Sequence, residues 1–175
     1  MQPLDDAVTI TLRDIAPEDE PFLLKVFACA RETEMAMVPW TDEQKAGFLQ
    51  MQFNAQHAHY HEKYPDADYK IILRNEEPSG RLYLNREPGL FKILDITVLP
   101  QFRNSGIGTG LVEDILKEAG KTNSKVQIYV ETFNASLEIF KSQGFSILEE
   151  QGINYLLEWS PPTSAVHDSL PATTS

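Results

Sequence analysis

With a single cysteine, Cys29, in 175 residues, the chain has no means of closing an internal disulfide. A disulfide-stapled scaffold is excluded, and the fold must be held by burial. The thiol lies in the apolar run Val26-Phe27-Ala28-Cys29-Ala30, where a buried structural side chain is expected rather than a nucleophile. Long apolar stretches are missing as well. Nothing approaches the roughly 18 apolar residues that cross a bilayer, and Met1-Gln2-Pro3-Leu4-Asp5-Asp6 has neither the basic nor the apolar region of a secretory signal. A cytoplasmic protein with no membrane partner is expected. Basic residues are scarce: 15 Lys and Arg, scattered, stand against 26 Asp and Glu, for a formal net charge of -11. Nucleic acid is therefore not an expected partner, because its phosphate backbone is bound by clustered cations. An acidic surface serves solubility and also draws in a cationic amine.

Metal-ligand patterns are lacking too. His57, His59 and His61 sit close together, but alternate residues of a helix diverge by about 200°. Only His57 and His61 share a side, without cysteine or a His-Glu-x-x-His context, so no metal is expected and a solvated helix face is the simpler reading. No internal repeat is visible. At 42% hydrophobic content the length suits one domain with a full-sized core, taken as residues 1–159. From Ser160 the Pro-Pro-Thr-Ser and Pro171-Ala-Thr-Thr-Ser segments have little to bury, so 160–175 is expected to be a flexible tail.

The patterning predicts an α/β (α+β) chain. Val8 to Ile15 alternates as a strand ending at Ala16-Pro17. A helix follows, with Glu18, Asp19 and Glu20 in its first turn and Phe22, Leu23, Val26, Phe27 and Ala30 as its apolar stripe. Thr41-Asp42-Glu43-Gln44 has the form of a capping box for a helix from Asp42 to about Tyr64, stopped by Pro65. Strands fit Tyr69 to Arg74 and Arg81 to Asn85, joined by a turn at Glu77-Pro78-Ser79-Gly80, and a third strand fits Leu90 to Val98 after Glu87-Pro88-Gly89. A helix to Gly120 presents Leu111, Val112, Ile115, Leu116 and Ala119 on one face, and its passage into the strand Lys125 to Glu131 makes a βαβ crossover. A capped helix from Asn134 and closing strands at Phe145 to Glu149 and Ile153 to Trp159 complete the chain.

The most informative segment is Leu94 to Leu111, LDITVLPQFRNSGIGTGL, a strand that runs through Arg103-Asn104-Ser105-Gly106-Ile107-Gly108 straight into a helix. Glycines there let the backbone turn with its N–H groups inward, and the helix start adds unpaired N–H groups and the positive end of its dipole. The junction suits an anionic cofactor. A P-loop is excluded because Gly108 is followed by Thr109 and Gly110 with no lysine, and a dinucleotide fingerprint lacks its third glycine where Leu111 stands.

What remains is Arg103-x-x-Gly106-x-Gly108 after a strand, which resembles the pyrophosphate loop of the GNAT superfamily of N-acetyltransferases. The segment Asn134-Ala135-Ser136-Leu137-Glu138-Ile139-Phe140-Lys141-Ser142-Gln143-Gly144-Phe145 resembles that superfamily's second signature, and the likeness covers roughly 8 to 159. It implies the GNAT fold, a mixed central sheet of about seven strands flanked by about four helices, and acetyl-CoA as cofactor. The implied cofactor contacts are Ile96, Thr97 and Val98 through their backbone, Arg103, Asn104, Ser105, Gly106, Ile107, Gly108 and Thr109 around the pyrophosphate, and Asn134 and Phe140 in the second signature.

The implied reaction is direct attack of a primary amine, of a small molecule or a peptide, on the acetyl thioester. It needs a neutral amine and an oxyanion partner, here a backbone N–H near Val98. Asp95 and Glu131 are candidates for base or amine anchor. Many members of the superfamily carry at position 140 a tyrosine that protonates the departing thiolate, and Phe140 has no proton to give. Tyr129 and Tyr155 are candidate replacements, and an acyl-CoA-binding sensor or inactive homologue is the alternative function. Gln52, Gln56 and Tyr60, spaced i, i+4, are expected to line the acceptor pocket with Phe53 and His57 beside them. The resemblance also allows a homodimer through the closing strands, where Tyr155-Leu156-Leu157 and Trp159 are apolar.

Overall fold

The computed structural model describes residues 7–162. Most of the expected tail, 163–175, lies outside the described residues. Among the described residues seven strands and five α-helices follow in the order β1 (Ile10–Asp14), α1 (Glu20–Cys29), α2 (Glu32–Ala36), α3 (Asp42–Lys63), β2 (Asp68–Arg74), β3 (Glu77–Glu87), β4 (Leu90–Val98), α4 (Ile107–Lys121), β5 (Lys125–Glu131), α5 (Ser136–Ser142), β6 (Ser146–Gln151) and β7 (Asn154–Trp159). The strands make a mixed seven-stranded sheet. By its contacts the chain divides into two compact units, Met1–Asn85 with Ile93–Gly110, and Arg86–Lys92 with Leu111–Ser175.

In the first unit β1 pairs antiparallel with β2 from Ile10 opposite Arg74 to Asp14 opposite Lys70, and β2 pairs antiparallel with β3. The core beneath them is Leu23, Phe27, Phe53 and Ile71, with Ile15, Phe22, Leu24, Leu49 and Leu73 packed around it. Phe27 and Phe53 meet edge to face at 5.7 Å, locking α1 to α3. Asp19 organises the entry to α1: its carboxylate accepts the Ala16 N–H at 2.8 Å and pairs with the Arg13 guanidinium at 2.8 Å. The Arg13 bond holds the Asp19 carboxyl below the usual range, against the opposing effect of burial. The capping box of α3 forms as predicted, with Thr41 Oγ1 accepting the Gln44 N–H at 3.1 Å and Gln44 Oε1 accepting the Thr41 N–H at 3.0 Å.

The structure moves the β2–β3 turn. The chain reverses at Asn75 and Glu76, with φ of +50° and +69°, so Arg74 faces Glu77. Two consecutive left-handed residues match the twist of a two-residue hairpin. Asn75 is suited to that conformation, and its Oδ1 also accepts the Thr9 N–H at 2.8 Å. The expected turn residues Pro78, Ser79 and Gly80 lie within β3 instead. Pro78 sits opposite Leu73 beside a register shift, where a ladder donor is dispensable. Gly80 serves a close approach: a Cβ there would lie 2.2 Å from the carbonyl oxygen of Thr97. One short helix, α2, also went unpredicted, because Glu32–Ala36 has no apolar stripe and no side-chain cap to announce it.

In the second unit the stripe Leu111, Val112, Ile115, Leu116 and Ala119 of α4 is buried as expected. β5 pairs antiparallel with β7 from Val126 opposite Trp159 to Glu131 opposite Asn154, and β6 pairs antiparallel with β7. Gly144 ends α5 with φ +106°, its α-carbon against the Trp159 indole, which a Cβ would approach to 3.0 Å.

Two predictions follow from this packing. Gly80→Ala forces a methyl group into the Thr97 carbonyl, so it should lower the unfolding free energy in urea by about 1–3 kcal/mol. His61 stacks on Tyr69 at 4.1 Å, lies 4.3 Å from the His57 ring and keeps its Nε2 buried without a partner. Burial first, and then His57, lowers its proton affinity, so below about pH 6.5 the unfolded imidazole binds a proton that the folded one resists. The melting temperature should therefore fall as pH drops from 7.5 to 5.5, and His61→Gln should flatten that slope. Asp19 is shifted in the same direction, downward, and its contribution is lost at lower pH, on acidification through and below its ordinary value near 3.8.

Candidate active site

The end of β4 is held from the side of β3. Gly80 admits the Thr97 carbonyl, and the Leu99 N–H donates to the Ser79 carbonyl at 2.8 Å. From that fixed point a single turn at Pro100–Phe102 leads into the glycine loop. Asn104 and Gly106 adopt φ of +61° and +83°, reversing the chain in two steps. Ser105 Oγ donates to the Phe102 carbonyl at 2.5 Å, and the first backbone bond of α4 runs from the Gly110 N–H to the Gly106 carbonyl at 2.9 Å. The amides of Ile107 and Gly108 thus precede the first intrahelical bond, where a helix offers its donors to a ligand.

Arg103 does not reach out from the loop. Its Nε donates to the Val98 carbonyl at 3.0 Å and its Nη2 lies 3.8 Å from the Cys29 sulfur, tying the loop to β4 and α1. Cys29 is half-buried, and burial pushes its thiol up, so a structural role agrees with its surroundings. A Cβ built on Gly106, Gly108 or Gly110 would meet nothing within 4 Å. The loop therefore faces open space with its backbone, and its residues fit a diphosphate.

Behind β4 lies a buried polar network. Arg81 of β3 is only 1% exposed. Its Nη2 donates to Asp95 Oδ2 at 2.5 Å and to Gln56 Oε1 of α3 at 2.9 Å, while its charge sits 4.7 Å from the Tyr83 ring centroid. Asp95 Oδ1 accepts the Thr97 hydroxyl at 2.6 Å. Tyr60 of α3 donates to the Leu94 carbonyl at 2.9 Å, and burial, then the charge of Asp95, pushes its phenol up to about 12. Burial, the largest single effect, lowers the Arg81 guanidinium, but the charge of Asp95, its hydrogen bond and the neighbouring phenols of Tyr83 and Tyr60 together outweigh it and the net shift is upward.

Of the expected acceptor residues, Gln56 and Tyr60 face the sheet and hold it. Gln52 lies one turn earlier on the same helix, half-buried. Asp95 is an ion-paired carboxylate whose side chain keeps 16% of its surface exposed. Arg81 had no assigned part in the sequence reading; the signal was there in a charged residue leading the apolar stretch Leu82-Tyr83-Leu84.

In the second unit Glu131 ends β5 opposite Asn154, and Tyr129 is 55% exposed on the same strand. Tyr155 faces Val130 across the ladder. Asn134 Oδ1 accepts the N–H and the hydroxyl of Ser136, both at 2.8 Å, which initiates α5. Phe140 is buried and packs edge to face on Phe145 at 5.4 Å. A separate cleft of about 540 Å³ in the first unit is lined by residues including Ile15, Glu20, Phe53 and His57, and takes in neither the loop nor β4. Among the described residues, no group of three or more His, Cys, Asp or Glu side chains is placed to hold a metal ion, and no helix is long and apolar enough to cross a membrane.

The strand, glycine loop and helix present open main-chain donors suited to a phosphate group, and comparison with known proteins places the chain in a family. The model of the acetyltransferase (GNAT) family matches residues 20–145, and the chain belongs to that family. None of the curated proteins compared matches the chain by sequence. Solved structures share its fold at low identity. The PaiA N-acetyltransferase of Thermoplasma acidophilum in complex with coenzyme A is 16% identical with a TM-score of 0.67, over 87% of this chain and 99% of that one. A GNAT acetyltransferase of Elizabethkingia anophelis with acetyl-CoA bound is 19% identical with a TM-score of 0.56, over 89% and 99%. The ribosomal-protein-S18-alanine N-acetyltransferase of Escherichia coli is 14% identical with a TM-score of 0.60, over 89% and 96%.

Removing Asp95 strands a buried cation. Asp95→Ala should cost about 3–5 kcal/mol in urea unfolding, whereas the double change Arg81→Met with Asp95→Leu should recover most of that loss.

Proposed function

We propose that the protein is an acetyl-CoA-dependent N-acetyltransferase acting on a primary amine of a small molecule or peptide. The observation that carries this reading is the backbone of Asn104 to Gly108: left-handed at Asn104 and Gly106, leading straight into α4, and open to space on its glycine side. The amides of Ser105, Gly106, Ile107 and Gly108 hold the pyrophosphate, with Asn104 and Thr109 flanking them and Arg103 bracing the loop. The backbone of Ile96, Thr97 and Val98 takes the pantetheine arm. Acetyl-CoA supplies an activated thioester, and a thiol of ordinary pKa near 8.5 leaves without a dedicated acid.

This chain's residues have the remaining tasks. The Asp95 carboxylate, anchored by Arg81 and 16% exposed along its side chain, attracts the acceptor amine and holds its proton. Glu131 and the exposed Tyr129 are the second-unit candidates for receiving and delivering protons. Gln52 is the member of the α3 set best placed to contact an acceptor, since Gln56 and Tyr60 are bonded to Arg81 and to β4. A second copy of the chain would cover the exposed β6 strand, where Ile147 and Leu148 are uncovered.

One observation favours a second reading, a sensor that binds acyl-CoA without turnover: Phe140 lacks a hydroxyl and is buried on Phe145. The two are separated by calorimetric titration of CoA together with thiol release from acetyl-CoA over an amine panel. Gly108 takes a side chain into open space without backbone strain, so Gly108→Glu should keep the wild-type melting temperature while losing about 100-fold or more in CoA affinity through charge repulsion. Binding with thiol release supports the enzyme, binding without release supports the sensor, and absence of CoA binding to wild type refutes both.

A further inference from the structure

We infer that Arg81 is a positioning residue for acyl transfer: through Asp95 and Thr97 it fixes the end of β4, and through Gln56 it ties that strand end to α3. The inference rests on the acetyltransferase reading above and adds to it a residue remote from the phosphate loop. Three elements meet at one guanidinium. Nη2 is shared between Gln56 Oε1 of α3 and Asp95 Oδ2 of β4, and the other Asp95 oxygen is taken by the Thr97 hydroxyl at 2.6 Å. Arg81 itself comes from β3, whose residues Ser79 and Gly80 engage Leu99 and Thr97.

A purely structural explanation of this pair is weak. The guanidinium side chain is 2% exposed between the rings of Phe27 and Tyr83, its Nε has no partner, and apolar side chains of similar volume would hold such a core at least as well. What a buried pair supplies and an apolar cluster does not is direction. It orients a carboxylate whose side chain is 16% exposed while the guanidinium behind it is sealed. The next residues, Ile96 to Val98, are those whose backbone takes the pantetheine arm in the proposed function. A strand end that carries its ligand on main-chain groups has to be held from behind, and misplacement by about 1 Å can cost on the order of 100-fold in rate.

The experiment uses the full chain in four forms: wild type, Arg81→Lys, Thr97→Val and the double variant. Arg81→Lys keeps the charge and loses the fork, and Thr97→Val removes the hydroxyl without stranding a charge. Amide hydrogen exchange is read at residues 96–99 and across the rest of the chain. CoA affinity is read by calorimetry, and kcat and KM by thiol release from acetyl-CoA with 1,4-diaminobutane, phenethylamine and an alanine-initiated peptide as acceptors.

Each single variant should speed exchange at 96–99 selectively and lower kcat by about tenfold or more at a temperature where it is fully folded; Thr97→Val should leave the melting temperature nearly unchanged, whereas Arg81→Lys should lower it. The double variant should be no worse than the more affected single one, because both changes cut the same chain of contacts. Exchange at 96–99 equal to wild type, losses that multiply in the double variant, or kcat losses that only follow the folded fraction would each overturn the inference. If wild type binds no CoA the acetyltransferase reading fails and the inference with it. If wild type binds CoA and the strand end is insensitive to Arg81 and Thr97, the inference alone fails.

Discussion

Everything proposed for this protein depends on where the end of β4 is held. A strand that presents main-chain groups to a ligand cannot have those groups used up on the ligand side, so its position must be fixed from the opposite neighbour. Here the fixing is steric as much as bonded. The absence of a Cβ at Gly80 lets β3 approach the Thr97 carbonyl, and the Ser79 carbonyl takes the Leu99 amide just past the strand. The loop that follows starts from that point, and one turn later its backbone reverses at Asn104 and Gly106. Displacing the strand end would carry the loop and the first turn of α4 with it.

The distribution of charge follows the same logic. A chain with a formal net charge of -11 places one of its few cations at the centre of the first unit and gives it a carboxylate, an amide and two aromatic faces. Desolvation makes that arrangement costly as a source of stability, so its value lies in geometry. The loop, by contrast, needs no cation. Arg103 is spent on the Val98 carbonyl, and the glycine side of the loop offers only main-chain donors and a helix terminus.

Phe140 shows how a departure from a family pattern looks when the structure absorbs it. The ring is buried on Phe145, its carbonyl accepts the Phe145 N–H at 3.1 Å, and the helix closes at Gly144 against Trp159. At that position the side chain contributes apolar packing and carries no proton to donate.

The glycine loop, the capped helix α3, the stripe of α4 and the bounds of β4 and β5 were legible in the amino-acid string because they express local preferences. Glycine and asparagine tolerate left-handed backbone, Thr41 and Gln44 lie within one turn of each other, and apolar side chains recur at 3.6 or 2 residues. The β2–β3 turn was misplaced for the same reason: Pro78-Ser79-Gly80 carries a stronger local turn signature than Asn75-Glu76, yet the ladder uses Pro78 beside an irregularity and Gly80 for a close approach. The partners of Arg81 lie 25 and 14 residues away in sequence, and nothing in either neighbourhood names them. Local chemistry therefore determined which segments bend, coil or extend, while tertiary packing alone decided which buried charges meet, because pairing is selected by the space left between elements once they have docked.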